Sequence, residues 1–169
     1  MINLTSKEIK GYASSSIARN ENKDCFVRAL AAGFEIGYND AHAIAKDRFN
    51  REDKKGTKNE YIISGMKEIE ESGIVIGDVI AKVKVLKGLD IKNRYKLYGE
   101  LIDRKKTVKS FIKDHPKGNY IVTVSKHAFA LKDGKLIDNK GEEFRPTRKV
   151  DGAYEILLPK DSIQLSLFN

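Results

Sequence analysis

One apolar stretch decides the fold, residues 24–34, which read Asp24-Cys25-Phe26-Val27-Arg28-Ala29-Leu30-Ala31-Ala32-Gly33-Phe34. A helix over these residues would carry apolar side chains on almost every side, so we expect it in the middle of the fold. Asp24 suits the N-cap position, and Gly33 and Gly37 stand where the helix should end. Cys25 is therefore predicted at the first position of a buried helix.

Further helices are predicted on the C-terminal side of this stretch. A second helix should run toward Phe49. Thr57 and Glu60 fit a capping box that opens a third helix, and Gly73 is placed to end it. Thr107 is placed to cap a short fourth helix. Three helices are thus predicted before Gly73, and a short fourth helix follows Thr107.

Strands dominate the rest of the chain. Residues 75–86 read as strands, residues 120–124 form another, and 153–158 are predicted as the last. Between them, Asp133-Gly134 is a strong signal for a tight hairpin turn. Helices first and an antiparallel sheet afterwards predict an α+β fold, with the N-terminal helices packed on a C-terminal sheet.

The composition fits one domain that buries its own core, because the chain has 169 residues and 40% of them are hydrophobic. A single cysteine excludes an internal disulfide framework and a multi-cysteine zinc site. No segment has the apolar length of a membrane span, and residues 1–4 show no signal-peptide core. We therefore expect a cytoplasmic protein with no metal and no cofactor site.

The formal net charge of +8 raises the question of an anionic partner. Lysine and arginine concentrate in residues 46–58 and 82–113, where acidic residues are interspersed. Such a mixture suits a solvated surface as well as it suits nucleic acid. Because no binding motif accompanies it, a solvated surface is the favoured interpretation, and nucleic-acid binding stays a weakly supported alternative.

Thiol chemistry has few possible participants in this chain. At the start of a helix, the unpaired backbone N–H groups and the helix dipole favour the thiolate form of Cys25. The adjacent carboxylate of Asp24 acts in the opposite direction, so a base must come from elsewhere. His127, in the hairpin segment, is the candidate base.

The hairpin register selects a third residue. If Asp133-Gly134 form a two-residue turn, alternation places Asp138 on the same face as His127, as its diagonal cross-strand neighbour. Asn139 would point to the other face, and a longer turn would reverse this choice. Structural explanations stay open as well, since a lone cysteine is often a small hydrophobic residue and an aspartate near a turn often serves the turn.

A family resemblance adds to this pattern. Residues 22–30, which read Asn-Lys-Asp-Cys-Phe-Val-Arg-Ala-Leu, resemble the nucleophile helix of small papain-like cysteine peptidases found among phage and bacterial hypothetical proteins. Residues 118–124, 127–130 and 133–135 are similar to the histidine hairpin of that family. The likeness covers most of residues 20–140.

The resemblance implies a papain-like fold in which Cys25 attacks an amide or thioester carbonyl and His127 is its base. Asp138 would then orient the histidine. Family members usually carry a glutamine five or six residues before the cysteine as an oxyanion-hole donor. Here those positions hold Asn20 and Arg19, and Asn20 is the predicted donor, with the Cys25 backbone N–H as the second.

A separate motif lies in residues 160–169, which we predict to form an extended tail after a domain at 1–159. The motif closely resembles the peptide with which bacterial DNA polymerases and repair proteins bind the replication sliding clamp, and it consists of Gln164, Leu165, Ser166, Leu167 and Phe168. Such a peptide anchors a few side chains in a groove and orders on binding. An edge strand and a chance match are the alternatives.

Two functions follow from these patterns. The first is a papain-like cysteine peptidase, a thiol acyl-transfer hydrolase acting on a peptide or protein, phage-encoded and directed to the sliding clamp by its tail. The alternative is a catalytically weak or inactive papain-like scaffold that binds the host clamp and interferes with DNA replication.

Overall fold

The computed structural model describes residues 3–4, 9–97, 100–137 and 146–159. The helices within these residues are α1 (Ser16–Arg19), α2 (Cys25–Phe34), α3 (Tyr38–Phe49), α4 (Asn59–Ser72) and α5 (Val108–Asp114). The strands are β1 (Asn3–Leu4), β2 (Ile74–Ile76), β3 (Val79–Val85), β4 (Asp90–Leu97), β5 (Glu100–Lys105), β6 (Asn119–Val124), β7 (His127–Lys132), β8 (Lys135–Ile137) and β9 (Gly152–Leu157).

One sheet organises the molecule, with the strand order β1-β8-β7-β6-β9-β3-β2. Its six strands from β8 to β2 are antiparallel, and the short β1 adds to the β8 edge in parallel. Strands β4 and β5 form a separate hairpin. The prediction of an α+β fold with an antiparallel sheet is therefore confirmed.

Helix α2 is buried against the sheet, as its apolar sequence predicted. Val27 and Leu30 are fully buried. Gly33 does not end the helix: a Cβ at this position would lie 2.8 Å from Ile121 Cγ1, so glycine lets the helix approach the sheet closely. The helix instead ends at Phe34, and Glu35 adopts the left-handed conformation with φ 56°.

Helix α4 begins differently from its prediction. Its N-cap is Lys58, whose side chain makes no capping hydrogen bond, so the predicted capping box of Thr57 and Glu60 is wrong. The predicted end is confirmed, because the Gly73 backbone N–H donates to the Ile69 carbonyl oxygen at 2.7 Å. Later in the chain, the Thr107 hydroxyl oxygen accepts a hydrogen bond from the backbone N–H of Ser110 and caps α5, as predicted.

Two tight turns shape the strand pairs beside α2. Lys132 pairs with Lys135, which confirms a two-residue turn at Asp133-Gly134. A second turn of the same length joins β6 to β7, because Val124 pairs with His127. This second turn places His127 at the very start of its strand.

The sheet has an apolar core on each side. Helices α2, α3 and α4 cover one face, and α5 covers the other near β6, β7 and β8. The hairpin of β4 and β5 lies in the basic stretch 82–113, whose residues show no clear alternation of apolar and polar types. No helix among the described residues is both long and apolar enough to cross a membrane.

Candidate active site

The fold brings Cys25 and His127 together. Cys25 is the first residue of α2, and His127 is the first residue of β7. The thiol and the imidazole form a hydrogen bond, and the backbone N–H of Ala128 also bonds the sulfur. Two residues that are distant in sequence therefore meet where the start of a buried helix reaches the end of the sheet.

The surroundings favour the thiolate form of Cys25. Burial is the largest single effect and raises the pKa of the Cys25 thiol, whereas the hydrogen bond and the charge of His127 lower it. The Ala128 N–H and the Arg28 guanidinium act in the same direction, and the net pKa of Cys25 lies below its ordinary value. A lowered pKa raises the fraction of the thiolate, which is the nucleophilic form of cysteine.

Asp24 is turned away from the helix it precedes. It is the N-cap residue by position, but its carboxylate makes no capping hydrogen bond. The carboxylate is instead 1% exposed, forms an ion pair with Arg28, and accepts a hydrogen bond of 2.6 Å from the Tyr38 hydroxyl. Its negative charge is thus offset by Arg28, which weakens the opposition to the thiolate expected from sequence.

The cysteine and histidine open onto a cleft of about 900 Å³. The segment from Glu21 to Arg28 lines one part of it, residues 56–59 line a second, and the β6–β7 turn lines the third. On the second wall, the Thr57 hydroxyl oxygen is buried and has no hydrogen-bond partner among the described residues. The cleft therefore offers space for a polypeptide and an unused polar group beside it.

The structure does not bring Asn20 into this cleft. Asn20 caps the end of α1, where its side-chain amide donates to the Ser16 carbonyl oxygen at 2.9 Å, and it lines a separate cavity. Asn20 does not line the cleft with Cys25, and one of its two amide N–H groups is used in the turn of α1. Asn22, Thr57 and Asn59 line the cleft instead. Asn22 precedes α2, whereas Thr57 and Asn59 belong to the segment at the start of α4, so sequence spacing held no signal that they line one cleft.

A buried polar cluster holds the segment that leads to Cys25. We call Glu21, His42 and Arg51 the Arg51 cluster. Arg51 forms an ion pair with Glu21, and the His42 ring nitrogen Nε2 lies 3.1 Å from Glu21 Oε2. Arg51 also donates to the Asn22 carbonyl oxygen at 3.4 Å, and the Lys54 N–H donates to Glu21 at 2.8 Å. This pairing buries His42, which lies in α3.

Two residues of the Arg51 cluster, together with Asp53, have side-chain atoms close enough together to be considered as metal ligands. Ligand atoms of Glu21, His42 and Asp53 lie within 4.8 Å of one another. However, the Arg51 guanidinium pairs directly with Glu21 and lies 3.4 Å from His42 Nε2. A cation at this point would be repelled by the guanidinium, so the arrangement is better explained as a structural ion-pair network.

The remaining predicted residues fall outside the described part of the chain. Asp138, the predicted orienting residue, is the first residue after β8 and is not described. The predicted clamp-binding residues are not described either: Gln164, Leu165, Ser166, Leu167 and Phe168. In comparisons with protein-family models, with curated proteins and with solved structures, the chain shows no match.

Proposed function

We propose that this protein is a papain-like cysteine peptidase or a closely related thiol acyl-transfer hydrolase. The observation that carries the proposal is the hydrogen bond between Cys25 and His127 within a cleft, together with the lowered pKa of the thiol. Paired thiol and imidazole groups are the arrangement that nucleophilic catalysis by cysteine requires. The cytoplasm, or the host cytoplasm for a phage-encoded protein, would keep the single thiol reduced.

In the first half of the reaction, the Cys25 thiolate attacks the carbonyl carbon of a peptide and a C–S bond forms. The carbonyl π electrons move to the oxygen, which becomes an oxyanion. When the intermediate collapses, the C–N bond breaks and the His127 imidazolium gives its proton to the leaving amine. The products of this half are a free amine and a thioester on Cys25.

In the second half, neutral His127 takes a proton from water as the water oxygen attacks the thioester carbon. The C–S bond then breaks, and the sulfur leaves with the electron pair as a thiolate. A carboxylic acid is released, and the thiolate–imidazolium pair is restored. No other reactant is needed.

The oxyanion needs hydrogen-bond donors close to the sulfur. The backbone N–H of Cys25 stands at the first position of α2, where helices leave such groups unpaired. We assign the second donor to the Asn22 amide, because Asn22 lines the cleft and Asn20 does not. Asn22→Ala should then lower kcat by about 10²–10³-fold. Asn20→Ala, the matched control, should leave kcat unchanged.

Asp138 is proposed as the group that orients His127. The two-residue turn between Lys132 and Lys135 is the condition under which alternation puts Asp138 on the His127 side. Replacing Asp138 by alanine should reduce turnover, whereas Asn139→Ala should not. The opposite result would give the role to Asn139.

Alkylation tests the proposal without knowledge of the substrate. Because the chain has one cysteine, a single carbamidomethyl group that forms on the wild-type protein and not on Cys25→Ala after iodoacetamide treatment is assigned to Cys25. We expect Cys25 to react faster than N-acetylcysteine at pH 6, and His127→Ala to remove the advantage. Hydrolysis of a peptide library should be lost in Cys25→Ala. A thiol that reacts no faster than N-acetylcysteine would contradict the proposal.

A second candidate function is supported by the sequence of the tail. Residues 164–168 resemble the clamp-binding peptide at all five positions. In this alternative, the papain-like body is a catalytically weak or inactive scaffold, and the tail occupies the host DNA sliding clamp. The two functions are compatible, since the tail could also deliver an active peptidase to the replication machinery.

Calorimetric titration against a bacterial sliding clamp tests the tail. The full chain should bind, and a chain lacking residues 163–169 should not. Phe168→Ala is the point control, because it removes one apolar anchor and should weaken binding while leaving the body unchanged. Equal binding by all three proteins would exclude the tail as the binding element.

A further inference from the structure

The candidate cleft is lined by lysines from three separate parts of the fold. Lys23 precedes α2, Lys58 precedes α4, and Lys126 lies in the β6–β7 turn beside His127. We call these three residues the cleft lysines. All three are exposed, and none forms an ion pair with a residue that the structure describes. Lys58 Nζ also lies 5.7 Å from the centroid of the Tyr61 ring, a cation–π contact that leaves its charge unneutralised. The three positive charges can therefore act on a bound molecule.

The carboxylates at the cleft are paired with arginine side chains. Glu21 is the carboxylate residue that lines it, and its side chain is buried in an ion pair with Arg51. The guanidinium of Arg28 pairs with Asp24, so these two charges offset each other. The cleft lysines thus leave the region around Cys25 with an excess of positive charge.

The N-terminal ends of two helices add to the positive electrostatic potential of the cleft. Both α2 and α4 begin at the cleft, and neither has a side-chain cap on its first N–H groups. The first turn of α4 carries Glu60, which offsets its positive end, whereas the first turn of α2 carries no acidic residue. Each helix start carries a partial positive charge from its aligned peptide dipoles. The Thr57 hydroxyl belongs to the same wall as the start of α4, but its oxygen is buried, so it adds no exposed group to the cleft.

From these observations, we infer that the cleft selects acidic peptides, with aspartate or glutamate side chains close to the carbonyl that Cys25 attacks. The inference rests on the proposed function, since it names the substrate class of the same site. An acidic peptide is favoured over nucleic acid because the lysines surround a thiol, and a thiol acyl-transfer site requires a carbonyl carbon that peptides supply.

Two small alkylating reagents that differ in charge report the electrostatic potential around Cys25. Iodoacetate and iodoacetamide react identically with Cys25: the thiolate sulfur forms a bond to carbon, and iodide leaves with the electron pair. The reagents have nearly the same shape but differ in charge. We expect the iodoacetate-to-iodoacetamide rate ratio of Cys25 to exceed that of N-acetylcysteine by about tenfold at low salt. Added salt should reduce the excess.

Variants assign the effect to its source. The triple variant Lys23→Gln/Lys58→Gln/Lys126→Gln should lower the rate ratio several-fold, leaving the part contributed by His127. A matched control replaces three exposed lysines outside the cleft, by Lys67→Gln, Lys82→Gln and Lys113→Gln. It removes the same net charge and should leave the ratio nearly unchanged. Circular dichroism confirms that both variants are folded.

The outcomes separate the inference from the proposed function. If Cys25 reacts rapidly with iodoacetamide but the triple variant leaves the rate ratio unchanged, the inference fails and the proposed function stands. If Cys25 reacts with neither reagent faster than N-acetylcysteine does, the proposed function and the inference both fail.

Protection experiments identify the class of ligand. A glutamate-rich peptide should slow the iodoacetamide reaction of Cys25, and a lysine-rich peptide of equal length should not. A single-stranded oligonucleotide that protects Cys25, where the glutamate-rich peptide does not, would overturn the peptide assignment in favour of a nucleic-acid groove.

Discussion

Arg51 offers the sharpest test of how the candidate site is supported. Arg51→Met removes the guanidinium from the Arg51 cluster and keeps a side chain of comparable length. The Arg51 side chain is fully buried, and that of Glu21 is only 4% exposed, so the Glu21 carboxylate would be left buried without its main partner. Loss of one partner of a buried ion pair typically costs about 3–5 kcal/mol.

The structure places the expected cost at the lower end of that range. After the replacement, Glu21 keeps the Lys54 N–H at 2.8 Å and His42 Nε2 at 3.1 Å. We therefore expect the free energy of unfolding to fall by about 3 kcal/mol. For a chain of this size, that loss lowers the melting temperature by roughly 6–12 °C.

Urea unfolding measures the loss of stability and its cause. The four proteins compared are the wild type, Arg51→Met, Arg51→Met/Glu21→Gln and Lys46→Met. Arg51→Met/Glu21→Gln should be more stable than Arg51→Met alone, because it leaves no buried unpaired charge. Lys46→Met is the control: it breaks the exposed pair with Asp53 and should cost below about 1 kcal/mol. A loss below about 1 kcal/mol for Arg51→Met, or no recovery in the double variant, would refute the reasoning.

Three further predictions concern the thiol and the helices. In His127→Ala, burial of Cys25 is no longer opposed by the histidine, so the thiol pKa should rise and the pH profile of iodoacetamide alkylation should move to higher pH. Gly65→Ala should destabilise the protein by about 1–2 kcal/mol in urea unfolding, because the new Cβ would lie 2.5 Å from the buried Phe49 ring. Thr107→Ala removes the N-cap of α5 and should lower the free energy of unfolding by about 1 kcal/mol; an unchanged urea midpoint would show that the cap is dispensable.

The sequence was most informative where structure depends on neighbouring residues. The apolar run of α2 is buried on nearly every side, and the residue pair Asp133-Gly134 forms a two-residue turn, as local patterns indicated. The meeting of Cys25 with His127 could also be anticipated, since one residue starts the buried helix and the other starts a hairpin strand.

The sequence was least informative where distant residues meet. His42 reads as a surface residue on its own helix, because the Arg51 partner that buries it belongs to a later loop. Asn20 has the spacing of a donor, but the end of α1 turns its amide back to Ser16. The hairpin of β4 and β5 could not be predicted for a different reason: its charged sequence lacks the alternation of apolar and polar residues that marks a half-buried strand.

The position of β9 has a consequence for the order in which the molecule is completed. β9 pairs with β6 on one side and β3 on the other, so it joins the two halves of the sheet. Its residues, 152–157, leave the ribosome after those of β3 and β6. A chain interrupted before them would hold Cys25 and His127 without the strand that connects their sheet to β3. The two halves of the sheet can therefore be joined only after residues 152–157 have been synthesised.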